Sequence, residues 1–329
     1  MTPKFFIGPM SKNIVDSVID FCNYNNVIIG LIPSRRQVEF NGGYVNNWAT
    51  SEFVKYVKSK TDKVMLVRDH SGPSQGLYDD DGYESLKEDC KYFDIIHIDP
   101  WKKYLSFEDG VTETINMINF CYNLNPDLEY EVGTEESIHR FEVSEIDDLI
   151  NQLKIKLNPN VYSKIKYLVI QSGTSLKGTD QTGKYNKDRL KDMTEVCKKH
   201  GLISKEHNGD YIPISIIKEK FNLGLDSINI APEFGVMETE VILDFIKNTS
   251  NNELLETLFE ICFKSKRWVK WVDPNFNPNE RKEELILICG HYIFSDYNFI
   301  ELKNSLNSDI DNEIKIKLKN KLDLMFEII

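Results

Sequence analysis

Four short apolar runs in this chain end in residues that can move protons or hold a metal. Lys63 to Val67 runs into Arg68-Asp69-His70-Ser71-Gly72-Pro73, and Ile95-Ile96-His97-Ile98-Asp99-Pro100 ends in His and Asp. Tyr130-Glu131-Val132-Gly133-Thr134-Glu135 ends in a carboxylate, and Leu202 to Lys205 leads into Glu206-His207-Asn208-Gly209-Asp210. Imidazoles and carboxylates converging from several strands suit Zn2+, Mn2+ or a similar divalent ion. Such an ion polarises a carbonyl and stabilises an enediolate, and a neighbouring carboxylate can then carry a proton. Asp69, Glu135 and Asp210 are the candidate acid–base groups; His70, His97, Asp99 and His207 are the candidate ligands. Residues two apart on a strand share a face, so His97 and Asp99 point the same way. Asp69 and His70 face opposite ways unless the chain turns between them. One lone His at a strand end is more often a hydrogen-bonding residue than a ligand, but three at three strand ends are harder to dismiss. His200, at the C-terminus of a helix, is read as structural.

Two segments could grip phosphate. Gln171-Ser172-Gly173-Thr174-Ser175-Leu176-Lys177-Gly178 offers amides, hydroxyls and Lys177; Ser34-Arg35-Arg36-Gln37 offers guanidiniums for bidentate contact. Asp79-Asp80-Asp81 lacks the twelve-residue spacing of a calcium loop and reads as a solvated turn.

These residues need elements to position them. Val27–Ile32, Lys63–Val67, Ile95–Ile98, Glu129–Val132, Lys166–Ile170, Leu202–Lys205 and Ser227–Ile230 read as buried strands, with helical patterns between them. Phe5-Phe6-Ile7 is a further short starting strand. About seven strand–helix alternations imply parallel strands with right-handed crossovers. A TIM (β/α)8-type barrel leads; a doubly wound sheet is second because no GxGxxG turn is present. The barrel is expected over residues 1–250, with 251–329 an extension that completes it or packs on it. Leu285–Cys289 reads equally as an eighth strand or a buried helix, so any irregularity is expected at the eighth unit. Ser308–Ile329 is expected to be an amphipathic helix.

The composition is that of a soluble globular protein, 41% hydrophobic and 28% charged. A net charge of −12 argues against nucleic acid or an anionic membrane as partner, though not against a basic pocket inside an acidic whole. The six scattered cysteines form no CxxC pair and read as reduced, buried thiols of a cytoplasmic protein. Neither a signal-peptide core nor a membrane span is apparent.

At these motifs the chain resembles the GatZ/KbaZ family, the so-called non-catalytic subunits of class II tagatose-bisphosphate aldolase. The collinear matches are Asn41-Gly42-Gly43-Tyr44, Asp69-His70-Ser71-Gly72-Pro73, Ile96-His97-Ile98-Asp99, Val132-Gly133-Thr134-Glu135, Gln171-Ser172-Gly173, His207-Asn208-Gly209-Asp210-Tyr211 and Ala231-Pro232, covering about residues 25–245. Ser295-Asp296 is followed by Tyr297 where the family has Arg, and Arg35, Arg36 and Arg68 replace small or polar residues, which suggests a more anionic substrate. The resemblance implies a TIM barrel handling a phosphorylated ketose, with metal-dependent aldol cleavage or C4 epimerisation as its chemistry. It implies Asp69 as base, with His70, His97 and His207 holding the metal alongside Glu135 or Asp99. It equally allows a stabilising subunit of a separate catalytic aldolase, a homo-oligomer, or a sugar-phosphate binding protein without turnover.

Overall fold

The computed structural model describes residues 2–249, 251–306 and 309–329. Ten strands are present: β1 (Phe5–Ile7), β2 (Ile29–Leu31), β3 (Val64–Ser71), β4 (Ile95–Ile98), β5 (Glu129–Val132), β6 (Ile165–Ile170), β7 (Leu176–Lys177), β8 (Asp180–Gln181), β9 (Ile203–Glu206) and β10 (Ser227–Ile230). Eight of them close a barrel in the order β1-β10-β9-β6-β5-β4-β3-β2. Every neighbouring pair is parallel. Each barrel strand leads to a helix on the outside, from Lys12–Asn25 after β1 to Pro232–Asn248 after β10. The molecule is therefore a TIM-type barrel with additional C-terminal helices.

The expected seven alternations become eight because Phe5–Ile7, three residues long, is a full barrel strand between β10 and β2. Leu285–Cys289 belongs to a helix, Lys282–Cys289, and the barrel closes without it. Part of the segment that follows Ile170 folds into a two-stranded hairpin of β7 and β8.

Strand alternation sorts the side chains. Phe6, Ile32, Val67, Ile95 and Tyr167 fill the floor of the barrel, separate from the larger apolar layer under the helices. Gly30 allows this: a Cβ there would stand 2.0 Å from the Phe6 ring.

Past residue 251 the chain forms helices Asn252–Ser265, Lys282–Cys289, Tyr297–Ser305 and Ile310–Phe326. Ser308, the expected start of the last one, lies outside the described residues. The last helix buries Ile310, Ile314, Leu318, Leu322 and Met325 along one stripe. It packs on Lys12–Asn25 and Pro232–Asn248, and Phe326 meets Phe5 and Phe21 at ring distances of 5.6 and 5.1 Å. All six cysteines are buried and free. No helix among the described residues is long and apolar enough to cross a membrane.

Candidate active site

Asp69 and His70 reach the same centre because β3 breaks its alternation. Val67 and Arg68 pair with Ile95 and Ile96, but Ser71 pairs with Ile98, so two residues of β3 stand against one of β4. His70 adopts φ 44° at this bulge, and its ring turns inward beside Asp69. His97 comes from β4, and His207 follows β9. Asp69, His70, His97 and His207 each offer one ligand atom, all within 4.8 Å of one another.

Each imidazole is oriented through its other nitrogen. His70 Nδ1 meets Asp99 Oδ2 at 2.6 Å, His97 Nε2 meets the Gly133 carbonyl at 3.0 Å, and His207 Nε2 meets Glu131 Oε1 at 2.8 Å. The three remaining nitrogens face Asp69, at 3.7 Å for His70 Nε2, 3.5 Å for His97 Nδ1 and 3.8 Å for His207 Nδ1. Second partners of this kind are what fix metal-ligating histidines. The His97 Nδ1 lone pair also receives the His70 amide at 3.2 Å, a long bond that an ion would displace.

The electrostatics favour a cation. Asp69, Asp99, Glu131 and Glu135 surround the imidazoles, and Lys205 is the ammonium among them, 2.5 Å from Glu131 Oε2. Burial would raise the Asp69 carboxyl, but the charge of His70 and contacts with His97 and His207 hold it well below the carboxylate range. Burial likewise opposes charge on His70, yet Asp69, Asp99 and Glu135 raise its pKa well above the ordinary value. Burial lowers the His207 pKa, despite Glu131 and Asp69, and so favours the neutral imidazole. Glu135 is held at about 2; burial pushes it up and is outweighed by His70. Asp69 Oδ1 is buried with no hydrogen-bond partner among the described residues. This orphaned oxygen stands beside the His97 and His207 nitrogens, and His70 Nε2 stands beside Oδ2; a polar partner is missing between them among the described residues, and three imidazoles next to a carboxylate fit a divalent ion there.

The other expected residues divide clearly. Asp99 stands behind His70, also accepting from Gln75 Nε2 and Thr134 Oγ1, both at 3.1 Å. Glu135 lines the cavity and accepts from Asn208 Nδ2 at 2.8 Å. Asp210 caps the helix Pro232–Asn248, accepting from the Ala231 and Glu233 amides at 2.9 and 2.8 Å; burial, with help from Glu233, raises its carboxyl to about 7. Arg68 lies under the helices, bonded to Asp89 through Nε and Nη2 at 2.9 and 2.8 Å. Arg35 is likewise occupied, by Glu39, Asp80 and the Gly72 carbonyl.

Gln171 ties down the Thr134 and His139 carbonyls, and Ser172 joins Glu206 and Lys220. Gly173 takes φ 92°, and Lys177 pairs with Asp273 at the surface. Of the expected phosphate groups, Arg36 and Gln37 line the cavity above the histidines.

That cavity, about 290 Å3, opens onto Asp69, His70 and Glu135. Its outer wall includes Lys102 and, from the extension, Lys270, Trp271 and Tyr292. Sequence reasoning missed Glu131, Lys205, Lys102 and Lys270. For Lys205 a signal existed: it sits two residues before His207 on β9 and so shares its inward face. Lys270 carried none, since only the folded extension brings it to the mouth.

No family model matches the chain, and no curated protein matches it in sequence. Solved structures match its fold. A probable tagatose 6 phosphate kinase from Sinorhizobium meliloti 1021 superposes with TM-score 0.79 at 13% identity, covering 100% of both chains. The fructuronate-tagaturonate epimerase UxaE from Cohnella laeviribosi gives 0.65 at 11% identity, over 99% of this chain and 81% of that one. The YdjI aldolase from Escherichia coli K12 gives 0.55 at 12% identity, over 98% and 91%. At such identities the likeness is one of fold.

Proposed function

We propose that this chain is a metal-dependent enzyme of carbohydrate metabolism, an aldolase or C4 epimerase acting on a phosphorylated ketose. The observation that carries the reading is the convergence of His70, His97 and His207 on Asp69, with each ring held by a separate acceptor. The shared fold with proteins described as an aldolase and an epimerase supports it. His70, His97 and His207 would hold the ion, which supplies Lewis-acid polarisation of the substrate carbonyl.

The chain's own residues do the rest. Asp69, ionised at neutral pH and at the cavity floor, accepts the proton of the C4 hydroxyl. As that proton leaves, the C3–C4 bond breaks and its electrons move to the carbonyl. Release of the fragments is aldol cleavage; re-addition to the opposite face, with the proton returned, is epimerisation. Glu131 and Asp99 keep His207 and His70 in register.

Purified chain supplemented with Zn2+ or Mn2+ and screened against ketose phosphates and bisphosphates is expected to cleave or epimerise at least one. Metal content measured by mass spectrometry is expected to fall in His70→Ala and His207→Ala. Asp69→Asn is expected to lose turnover. Unaltered metal content in both histidine variants would sink the reading.

A further inference from the structure

Three cations meet on the outer wall of the cavity: Arg36 after β2, Lys102 after β4, and Lys270 from the C-terminal extension. Among the described residues none lies within ion-pair distance of a carboxylate, although the chain has 52 acidic residues against 40 basic ones. Arg36 Nε donates to the Gly76 carbonyl at 3.1 Å, and Lys102 donates to the Ser74 carbonyl. Lys270 lies over the Trp271 ring, 4.3 Å from its centroid, and 5.6 Å from that of Tyr292. Partial desolvation by the crowded surroundings and the like charges of Arg36, Arg267 and Lys102 lower the Lys270 pKa to about 8. Like charges gathered without counter-ions destabilise the empty arrangement and favour whatever anion neutralises it.

The cluster also has a direction. Asp69, His70 and Glu135 keep only 16–17% of their side-chain surface exposed, whereas Lys102 and Lys270 are exposed and Arg36 half-buried, so the cations stand nearer the mouth of the shared cavity. We infer that Arg36, Lys102 and Lys270 form a site for the anionic end group of the substrate, and that the C-terminal extension completes this site. Resting on the aldolase or epimerase reading, this assigns the two ends of the substrate: carbonyl and hydroxyls toward the histidines, phosphate or carboxylate toward the rim. Phosphate and carboxylate share the chemistry that these cations recognise.

The full chain titrated calorimetrically with inorganic phosphate, and separately with acetate, tests the site without requiring turnover. Wild type is expected to bind at least one of them. Lys270→Met and Arg36→Gln are each expected to weaken that binding about tenfold or more, as for loss of one charge-assisted hydrogen bond. Lys270→Arg should largely retain it, and Lys319→Met, on the last helix outside the cavity, should not alter it. Circular dichroism establishes that each variant is folded. Preference for phosphate identifies a phosphoryl end, and equal binding of acetate a carboxylate end; either supports the site. No binding of either anion by wild type, or binding indifferent to Lys270→Met and Arg36→Gln, overturns it. Cation-dependent binding in a protein with no metal-dependent turnover would leave the site standing and remove the proposed function instead. Turnover with an unaltered KM in Lys270→Met would do the reverse.

Discussion

Glu131 joins two layers of the barrel interior. One oxygen accepts from Lys205 Nζ at 2.5 Å and the other meets His207 Nε2 at 2.8 Å. Both partners are buried, and Lys205 Nζ also lies 3.9 Å from the centre of the Phe6 ring on the floor. Glu131→Gln leaves the ammonium without its counter-ion, and the one amide oxygen that remains cannot serve both Lys205 and His207 as the two carboxylate oxygens do. The expected result is a loss of about 3–5 kcal/mol in urea unfolding, typical of a broken buried pair. Affinity for Zn2+ is expected to drop by about 10–100-fold, typical of a lost outer-shell partner. A variant with wild-type unfolding midpoint and wild-type Zn2+ affinity would remove Glu131 from this role.

Arg68 illustrates the limit of motif reading at this scale. Beside Asp69-His70 it looks like a substrate contact, yet strand parity turns it outward to a bidentate pair with Asp89. Arg68→Ala should therefore lower stability by about 3–5 kcal/mol, and folded variant should retain metal binding. Arg36, with the same chemistry, reaches the cavity. Only the path of the loop distinguishes the two, and residue type does not encode that path.

At the scale of elements, much of the barrel was legible because buried parallel strands are short apolar runs separated by helical periods. Ile95–Ile98, Glu129–Val132 and Ser227–Ile230 fall where the sequence places them. Two features were not legible. Phe5–Ile7 reads as a short starting strand, but three residues do not show that it is a full member of the barrel; its pairing with β10 and β2 does. The β3 bulge is also a pairing property, and it turns His70 from the outer face to the inner one.

Gly72 follows Ser71, the last residue of β3, and packs against the backbone at the end of β4. A Cβ on Gly72 would stand 2.2 Å from the Asp99 carbonyl oxygen. Gly72→Ala therefore has to push the end of β4 away, and Asp99 with it. The expected outcome is destabilisation of about 1–3 kcal/mol, as for overpacking, with a parallel loss of Zn2+ affinity as Asp99 shifts off His70 Nδ1. Destabilisation without any change in Zn2+ affinity would separate the bulge from the site.

For the whole molecule, the question is whether barrel and extension unfold together. His291 reports on this because it lies in the extension and packs on the barrel: a Cβ on Gly235, in the helix after β10, would stand 2.8 Å from the His291 Cβ. The ring is buried, and neither nitrogen has a hydrogen-bond partner among the described residues. Burial, reinforced by Lys270, lowers its pKa from 6.5 to about 3. The unfolded chain therefore takes up a proton at higher pH than the native protein does. Above about pH 6.5 neither state is protonated and the group has no effect. As pH falls below that, the unfolded state alone binds a proton, and native stability drops by about 1.4 kcal/mol per unit toward pH 3.

Carboxylates elsewhere titrate over the same range, so total stability cannot isolate this effect; a difference can. His291→Phe keeps an aromatic ring and removes the titration. The unfolding free energy of the variant minus that of wild type is expected to be flat between about pH 7 and 8. It should then rise in favour of the variant as pH is lowered to about 4, with one cooperative transition throughout. A difference that stays constant down to pH 4, or two transitions in wild type, would mean that the extension opens before the barrel and lets His291 protonate. In that case Lys270 would leave the cavity wall under the same conditions, because it is held there by the same segment.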